Sequence, residues 1–200
     1  MLKKQQLTLK SKFEQEAEMM AVVLSDTHAK DLDDLPERIL EDMKKADLII
    51  HVGDYTSKMF LDHLRDLGDF KGVYGNMDPN EIKSELPDKD IFELMGFRIG
   101  ITHPSEGGSP IGLKNRVKSK LGEDPDLIIY GHTHNPANER DGSTIYLNPG
   151  SATGAFPARY KTYGILNITD KIEVEIVKVW RPSTNPFSRL TLQVNYRTET

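Results

Sequence analysis

Two hundred residues, no cysteine and a formal net charge of −5 fit one domain, or one domain with a tail, able to bury a full core without disulfide staples. The missing thiols exclude a thiolate metal site and suit a reducing, cytoplasmic setting, while the acidic balance gives no global attraction to nucleic acid. The apolar runs are far too short to span a bilayer and the N-terminus has no apolar signal segment, so neither membrane nor export is expected.

Residues 1–19 are polar and charged and read as an accessory extension; residues 20–180 read as the folded domain, and residues 181–200 as a tail. Within the domain, short β-branched apolar runs end in polar residues: Ala21–Leu24, Leu48–Val52, Lys71–Tyr74, Phe97–Thr102 and Leu127–Tyr130. Helices are predicted over Asp33–Lys45, with Asp33 and Asp34 as caps, over Ser57–Leu67, stopped by Gly68, and over Ile111–Leu121, stopped by Gly122. Thr144–Leu147, Tyr163–Ile168 and Lys171–Trp180 read as strands, with Thr169-Asp170 turning between the last two. Early βαβ units followed by a strand-rich half predict an α/β fold of two packed sheets with helices outside. Beyond Trp180, residues 181–186 are linker-like, and Arg189–Tyr196 alternates as an edge strand or a disordered tail would.

Chemistry concentrates in five segments: Asp26-Thr27-His28, Gly53-Asp54, Gly75-Asn76, His103 and Gly131-His132-Thr133-His134. Each lies at the C-terminal end of an apolar run, the edge where ligand sites of open α/β sheets assemble. Asp26/His28 and His132/His134 are two apart, a spacing that extended backbone would turn to one side. Gly53, Gly75 and Gly131 each precede a candidate ligand, where a chain leaving a strand turns sharply. Two aspartates, one asparagine and four histidines make seven ligands, a number that suits two metals sharing a carboxylate. The nitrogen and oxygen set fits Mn²⁺, Fe²⁺, Zn²⁺, Ni²⁺ or Co²⁺ better than Ca²⁺ or Cu⁺.

The ordered set D-x-H, G-D, G-N, lone His and G-H-x-H resembles the calcineurin-like metallophosphoesterases, from about Met20 to Trp180. It is closest to their small single-domain phosphodiesterase branch, which shares the segment seen here as Asn148-Pro149-Gly150-Ser151. The resemblance implies a four-layer α/β/β/α sandwich. It also implies a first metal on Asp26, His28 and His134, a second on Asn76, His103 and His132, and Asp54 bridging them, with manganese the expected ion. Asp54, Asn76 and His103 are the residues it assigns to the chemical step, in-line attack of a bridging hydroxide on phosphorus, with Asn76 steadying phosphoryl charge. The substrate so implied is a small phosphodiester. Two departures stand out: Met77 occupies the position after Gly-Asn where many members carry a histidine, and Pro104 follows His103 where Gly-His is frequent.

Other residues have plainer readings. His51 reads as packed within its strand and His63 as lying on a helix face; Asp78 either supports the site or forms a turn before Pro79. Asn148–Ser151 either approaches the metals or simply turns. Lys114, Arg116, Lys118 and Lys120 read as a solvated helix face, and Pro104–Pro110 as a mobile rim. A competing function of another class is a catalytically silent scaffold, since a retromer subunit of this fold is similar over Asn148–Ala155. Retention of all seven ligand positions favours the enzyme. A nuclease is disfavoured by the acidic balance and the lack of interleaved aromatic and basic residues. A homo-oligomer, with a dimer contact from the tail, is a further expectation.

Overall fold

In the computed structural model, residues 18–104, 106 and 111–180 are described. The predicted extension, linker, tail strand and most of the 104–110 rim lie outside them. The elements are β1 (Met19–Leu24), a 3-10 turn (Leu32–Asp34), α1 (Glu37–Met43), β2 (Leu48–Val52), α2 (Lys58–Asp66), β3 (Phe70–Val73) and α3 (Asn80–Glu85). Then follow β4 (Lys89–Leu94), β5 (Phe97–Thr102), α4 (Leu113–Leu121), β6 (Leu127–Tyr130), β7 (Ala137–Asp141), β8 (Thr144–Asn148), β9 (Lys161–Ile168) and β10 (Ile172–Val179).

Two five-stranded sheets form, in the orders β10-β9-β1-β2-β3 and β4-β5-β6-β8-β7. Strand β1 runs parallel to β2 and β2 to β3, while β5, β6 and β8 form the parallel centre of the second sheet. Alternation along the strands splits the core into layers. From β1, Ala21 and Val23 join Ile50, Ile99, Ile101, Ile129 and Leu147 between the sheets. Val22 and Leu24 face the other way, onto Ile39, Met43, Phe60, Leu61 and Leu64 of the first two helices. On the far side, Leu113, Val117 and Leu121 of α4 cover Ile128, Tyr130 and Tyr146. The result is the expected α/β/β/α sandwich.

Three local expectations need correction. The helix predicted over 33–45 is split: Asp31 caps the 3-10 turn by accepting from the Leu32 N–H at 2.6 Å, and Asp34 completes a capping box by accepting from the Asp31 N–H, while Asp33 caps nothing. Leu35 then sits in the extended region, as the residue before Pro36 must, so α1 starts afresh. The stop of α2 is Leu67 with a helical backbone, not Gly68, whereas Gly122 closes α4 in the left-handed region as predicted. Strands β4 and β7 and helix α3 are additional. The first two are half-exposed or edge strands with polar sequences, and β4 joins β5 through Met95-Gly96, both at positive φ. Methionine is an unusual residue for such a hairpin turn, which hides it from sequence rules.

Candidate metal centre

The parallel strands of both sheets end at one edge, and that edge carries all five predicted segments. Asp26 and His28 follow β1, Asp54 follows β2, Asn76 follows β3, His103 follows β5, and His132 and His134 follow β6. The sheets are stitched together there. The Val52 carbonyl at the end of β2 lies 3.3 Å from Ser25 Oγ and accepts from His103 Nδ1, arriving from the other sheet, at 2.7 Å.

Asp26, His28, Asp54 and His134 each offer a ligand atom, and these atoms all lie within 4.8 Å of one another. His28 Nε2 is 3.7 Å from Asp54 Oδ2, and His134 Nε2 is 3.4 Å from Asp26 Oδ1. The remaining predicted residues gather around Asn76. Its Oδ1 is 3.1 Å from His103 Nε2 and 3.0 Å from His132 Nδ1, and His103 Nε2 is 3.7 Å from Asp54 Oδ2. Asp54 therefore stands between both groups, and all seven predicted residues converge on one edge.

The pairs two apart do point together, but not through extended backbone. Asp26, His28, His132 and His134 have φ of 48, 45, 86 and 57°. Asp54 and Thr56 repeat the pattern at 61 and 70°. Left-handed backbone at alternate residues costs roughly 1–2 kcal/mol each and is characteristic of functional loops. Aimed acceptors hold these conformations. The Asp26 N–H donates to Gly53 O and the His28 N–H to Asp54 O, each at 3.0 Å. The His132 N–H donates to Asp26 Oδ2 at 3.0 Å. The Asp78 carboxylate accepts from the N–H groups of Asp54 (3.0 Å), Thr56 (2.8 Å) and Gly75 (2.7 Å). Asp78 is thus a support of the site. The glycine rule also needs amending: only Gly53 has positive φ (93°), whereas a Cβ on Gly75 would overlap the Asp54 carboxylate and one on Gly131 would overlap Ser25 Oγ. Close approach, not turning, requires those two glycines.

Burial sets the electrostatics. Fully buried Asp26 is pushed up to about 7, chiefly by loss of solvent, with Asp54 adding to the rise and His103, Ser25 and the His132 N–H opposing it. Burial likewise lowers His28, against the pull of Asp54, and raises Asp78 against its three N–H donors. Buried His51 is held well below the ordinary imidazole value, again by desolvation. Its Nδ1 accepts from the Gly53 N–H at 3.2 Å, which leaves Nε2–H for Thr27 Oγ1 at 3.0 Å, and that hydroxyl donates to Asp54 O at 3.3 Å. The packed histidine of the sequence reading is therefore a brace behind Asp54. Ser25 and Thr153 are further supports that sequence reasoning missed, and Ser151 joins them from the segment it had marked as near the site. Ser25 Oγ donates to Asp26 Oδ2 (2.8 Å), Ser151 Oγ to Asp26 O (2.7 Å) and Thr153 Oγ1 to Thr27 O (2.5 Å). Their position beside Asp26 and within 148–155 was the available signal. Asn148 serves the same turn, bonding Gly131 O, Thr133 Oγ1 and the Gly150 N–H.

The donor set suits a divalent cation. His134 Nδ1 lies 2.9 Å from Ala155 O and His103 Nδ1 is on Val52 O. Each Nδ1 donates in these bonds, which directs Nε2 of each ring at Asp26 Oδ1 or Asn76 Oδ1. Imidazole nitrogens and carboxylate or amide oxygens gathered this way are the usual donors to a divalent transition-metal ion. Buried His28 Nε2 has no hydrogen-bond partner at all, and a buried polar atom left so is costly.

His63 lies outside the site on α2, paired with Asp31 at 2.5 Å. The α4 lysines are partnered: Lys114 with Glu139, Lys118 with Asp124, and Lys120 with Asp88 and Glu106. Among the described residues, no helix is long and apolar enough to cross a membrane.

Comparison with known proteins agrees with this geometry. The chain is 36% identical over 165 residues to a probable metallophosphoesterase of Methanocaldococcus jannaschii, covering 80% of this chain and 82% of that one. It is 30% identical over 172 residues to a phosphodiesterase of the same organism, covering 78% and 96%. Among solved structures, Vps29 of Entamoeba histolytica in complex with zinc has a TM-score of 0.63 at 24% identity, covering 80% of this chain and 99% of that one; at that identity the likeness is one of fold. Residues 19–171 match the calcineurin-like phosphoesterase superfamily domain, and the chain belongs to that superfamily of phosphoester hydrolases.

Proposed function

We propose that this protein is a metal-dependent phosphodiesterase whose substrate is a small cytoplasmic phosphodiester. Asp26, His28 and His134 would hold one divalent ion and Asn76, His103 and His132 a second, with Asp54 shared. Manganese is the favoured ion, with nickel, zinc, iron and cobalt as alternatives for this nitrogen and oxygen set. When bound, such a pair supplies Lewis acidity and an activated water for in-line displacement at phosphorus. The observation that carries the proposal is the gathering of ligand atoms from Asp26, His28, Asp54 and His134 within 4.8 Å of one another, with buried His28 Nε2 left without a hydrogen-bond partner.

The protein's own groups prepare that chemistry. Val52 O and Ala155 O fix the His103 and His134 rings through Nδ1, which presents Nε2 to the centre. Asp54 Oδ1 is held by the Met77 N–H at 2.8 Å, leaving Oδ2 between His28 and His103. Asn76 stands at the solvent edge of the cluster, beside exposed Met77, where a phosphoryl oxygen would meet its amide. Methionine cannot protonate a leaving group, so diesters with good leaving groups should turn over fastest.

The test is hydrolysis of bis(4-nitrophenyl) phosphate and 4-nitrophenyl phosphate by chelator-purified protein with Mn²⁺, Ni²⁺ or Zn²⁺ added singly, with Asp54→Asn as control. Metal-restored diester cleavage that Asp54→Asn abolishes supports the proposal. A folded, metal-loaded protein with no turnover would refute it and favour the scaffold reading.

A further inference from the structure

Two lysines touch the candidate centre from behind, and they differ in charge balance. Lys120 on α4 donates to His103 O at 2.8 Å and lies 3.6 Å from Asp88 and 3.5 Å from Glu106, so its charge is compensated. Lys83 on α3 donates to Asn76 O at 3.1 Å and sits 6.0 Å from the Tyr74 ring centroid. Among the described residues no carboxylate pairs with it. The acid of its own loop, Asp78, is turned inward onto the three N–H groups described above and is buried. Half-buried Lys83 thus places an unbalanced positive charge against the main chain of Asn76.

The two sides of the centre are electrostatically unlike. One carries the buried carboxylate of Asp26; the other, built by Asn76, His103 and His132, has neutral ligands and shares only Asp54. We propose that Lys83 makes the Asn76 side the anion-accepting side, steering the phosphate group of the substrate there and holding the Asn76 backbone as it does so. This inference rests on the phosphoesterase reading and extends it to substrate charge. A Coulomb interaction scales with the charge of the substrate. Whatever factor the loss of Lys83 costs a monoanionic diester, it costs roughly the square of that factor for a dianionic monoester. A lysine that only props up the loop would cost both equally.

The experiment uses the full metal-loaded chain at pH 8 and compares wild type, Lys83→Met and Lys83→Arg on bis(4-nitrophenyl) phosphate and 4-nitrophenyl phosphate. Lys83→Gln serves in place of the methionine variant if that fails to fold. Lys83→Met should lose about 3-fold in kcat/KM on the diester and about 10-fold on the monoester, both losses shrinking in 0.5 M salt and both recovered by arginine. Inhibition by inorganic phosphate should weaken about 10-fold alongside the monoester. Equal losses on the two substrates, or none, would overturn the inference. If wild type cleaves neither substrate, the phosphoesterase reading has failed, and the lysine is judged by phosphate-induced thermal stabilisation of the metal-loaded protein. A smaller shift in Lys83→Met keeps the inference, and an unchanged shift ends it.

Discussion

In the metal-free protein one residue, Asp26, should make a large contribution to the pH dependence of stability. Asp26 is fully buried and its carboxyl is pushed from 3.8 to about 7, mainly by desolvation. The folded chain keeps this proton where the unfolded chain has lost it, so between pH 4 and 7 the native state binds more protons and stability falls as pH rises. The shift is about 3 pH units, or about 4 kcal/mol at 1.36 kcal/mol per unit. Somewhat under about 3 kcal/mol of that falls between pH 5 and 8. Urea denaturation of chelator-treated protein at these two pH values measures it, with Asp26→Asn as the neutral reference. Wild type should lose about 3 kcal/mol more than the asparagine variant between pH 5 and 8. Saturating Mn²⁺ should abolish that excess loss, because the bound cation stabilises the ionised carboxylate and binding expels the proton. Parallel pH curves for the two metal-free proteins would refute the reasoning.

Asp78→Ala orphans three N–H groups and should lower metal affinity 10- to 100-fold and stability by about 3 kcal/mol, with Asp78→Asn milder; calorimetric metal titration and urea melts check both. Gly75→Ala forces its Cβ into the Asp54 carboxylate, so circular dichroism should stay native while metal binding and activity disappear. Raised His63 and lowered Asp31 hold one another through their hydrogen bond. The His63 share is complete below pH 6.5 and fades as pH rises through its folded pKa, and the Asp31 share is complete above pH 3.8 and fades in acid, so the pair works between those limits. An NMR titration should place His63 above 6.5 and return it toward 6.5 in Asp31→Asn. Thr56 is a β-branched residue at φ 70° whose contribution is its N–H; Thr56→Gly should raise stability by about 0.5–1 kcal/mol with metal binding intact, as thermal melts would report.

The central strands and the convergence of all seven candidate residues at their ends were legible because two strong signals coincide: β-branched runs fix where a strand ends, and polar residues immediately beyond it mark the sheet edge. Leu48–Val52 followed by Gly53-Asp54 is the clearest instance. What stayed hidden depends on partners distant in sequence. His51 cannot be recognised as a brace until Thr27, 24 residues away, is seen against its ring. Ser151 holds Asp26 across 125 residues. Polar β7 becomes a strand only because β8 offers it an edge, with Arg140 opposite Ile145. The alternating left-handed backbone was missed for another reason: Asp and His take positive φ more readily than most residues but do not require it, and β-branched Thr rarely does, so none marks it as glycine does.

That backbone explains why the site needs so many supports. Asp26, His28, Asp54, Thr56, His132 and His134 at positive φ together store on the order of 6–12 kcal/mol, comparable with the whole net stability of a typical domain. Such strain persists only where surrounding bonds over-determine it. Here the N–H groups of Asp26, His28, Asp54, Thr56 and His132 each meet an aimed acceptor, two of them on Asp78. The core between and outside the sheets supplies the rest, since each fully buried aliphatic side chain contributes about 1.5–3 kcal/mol. Strained loops on a rigid sandwich bring the seven candidate ligands from five strand ends to one edge before any cation arrives. Binding then need not fold the site, only neutralise carboxylates and lone pairs already crowded together. Metal affinity should therefore depend on Asp78 and Ser151, which touch no metal, almost as much as on the ligands they hold.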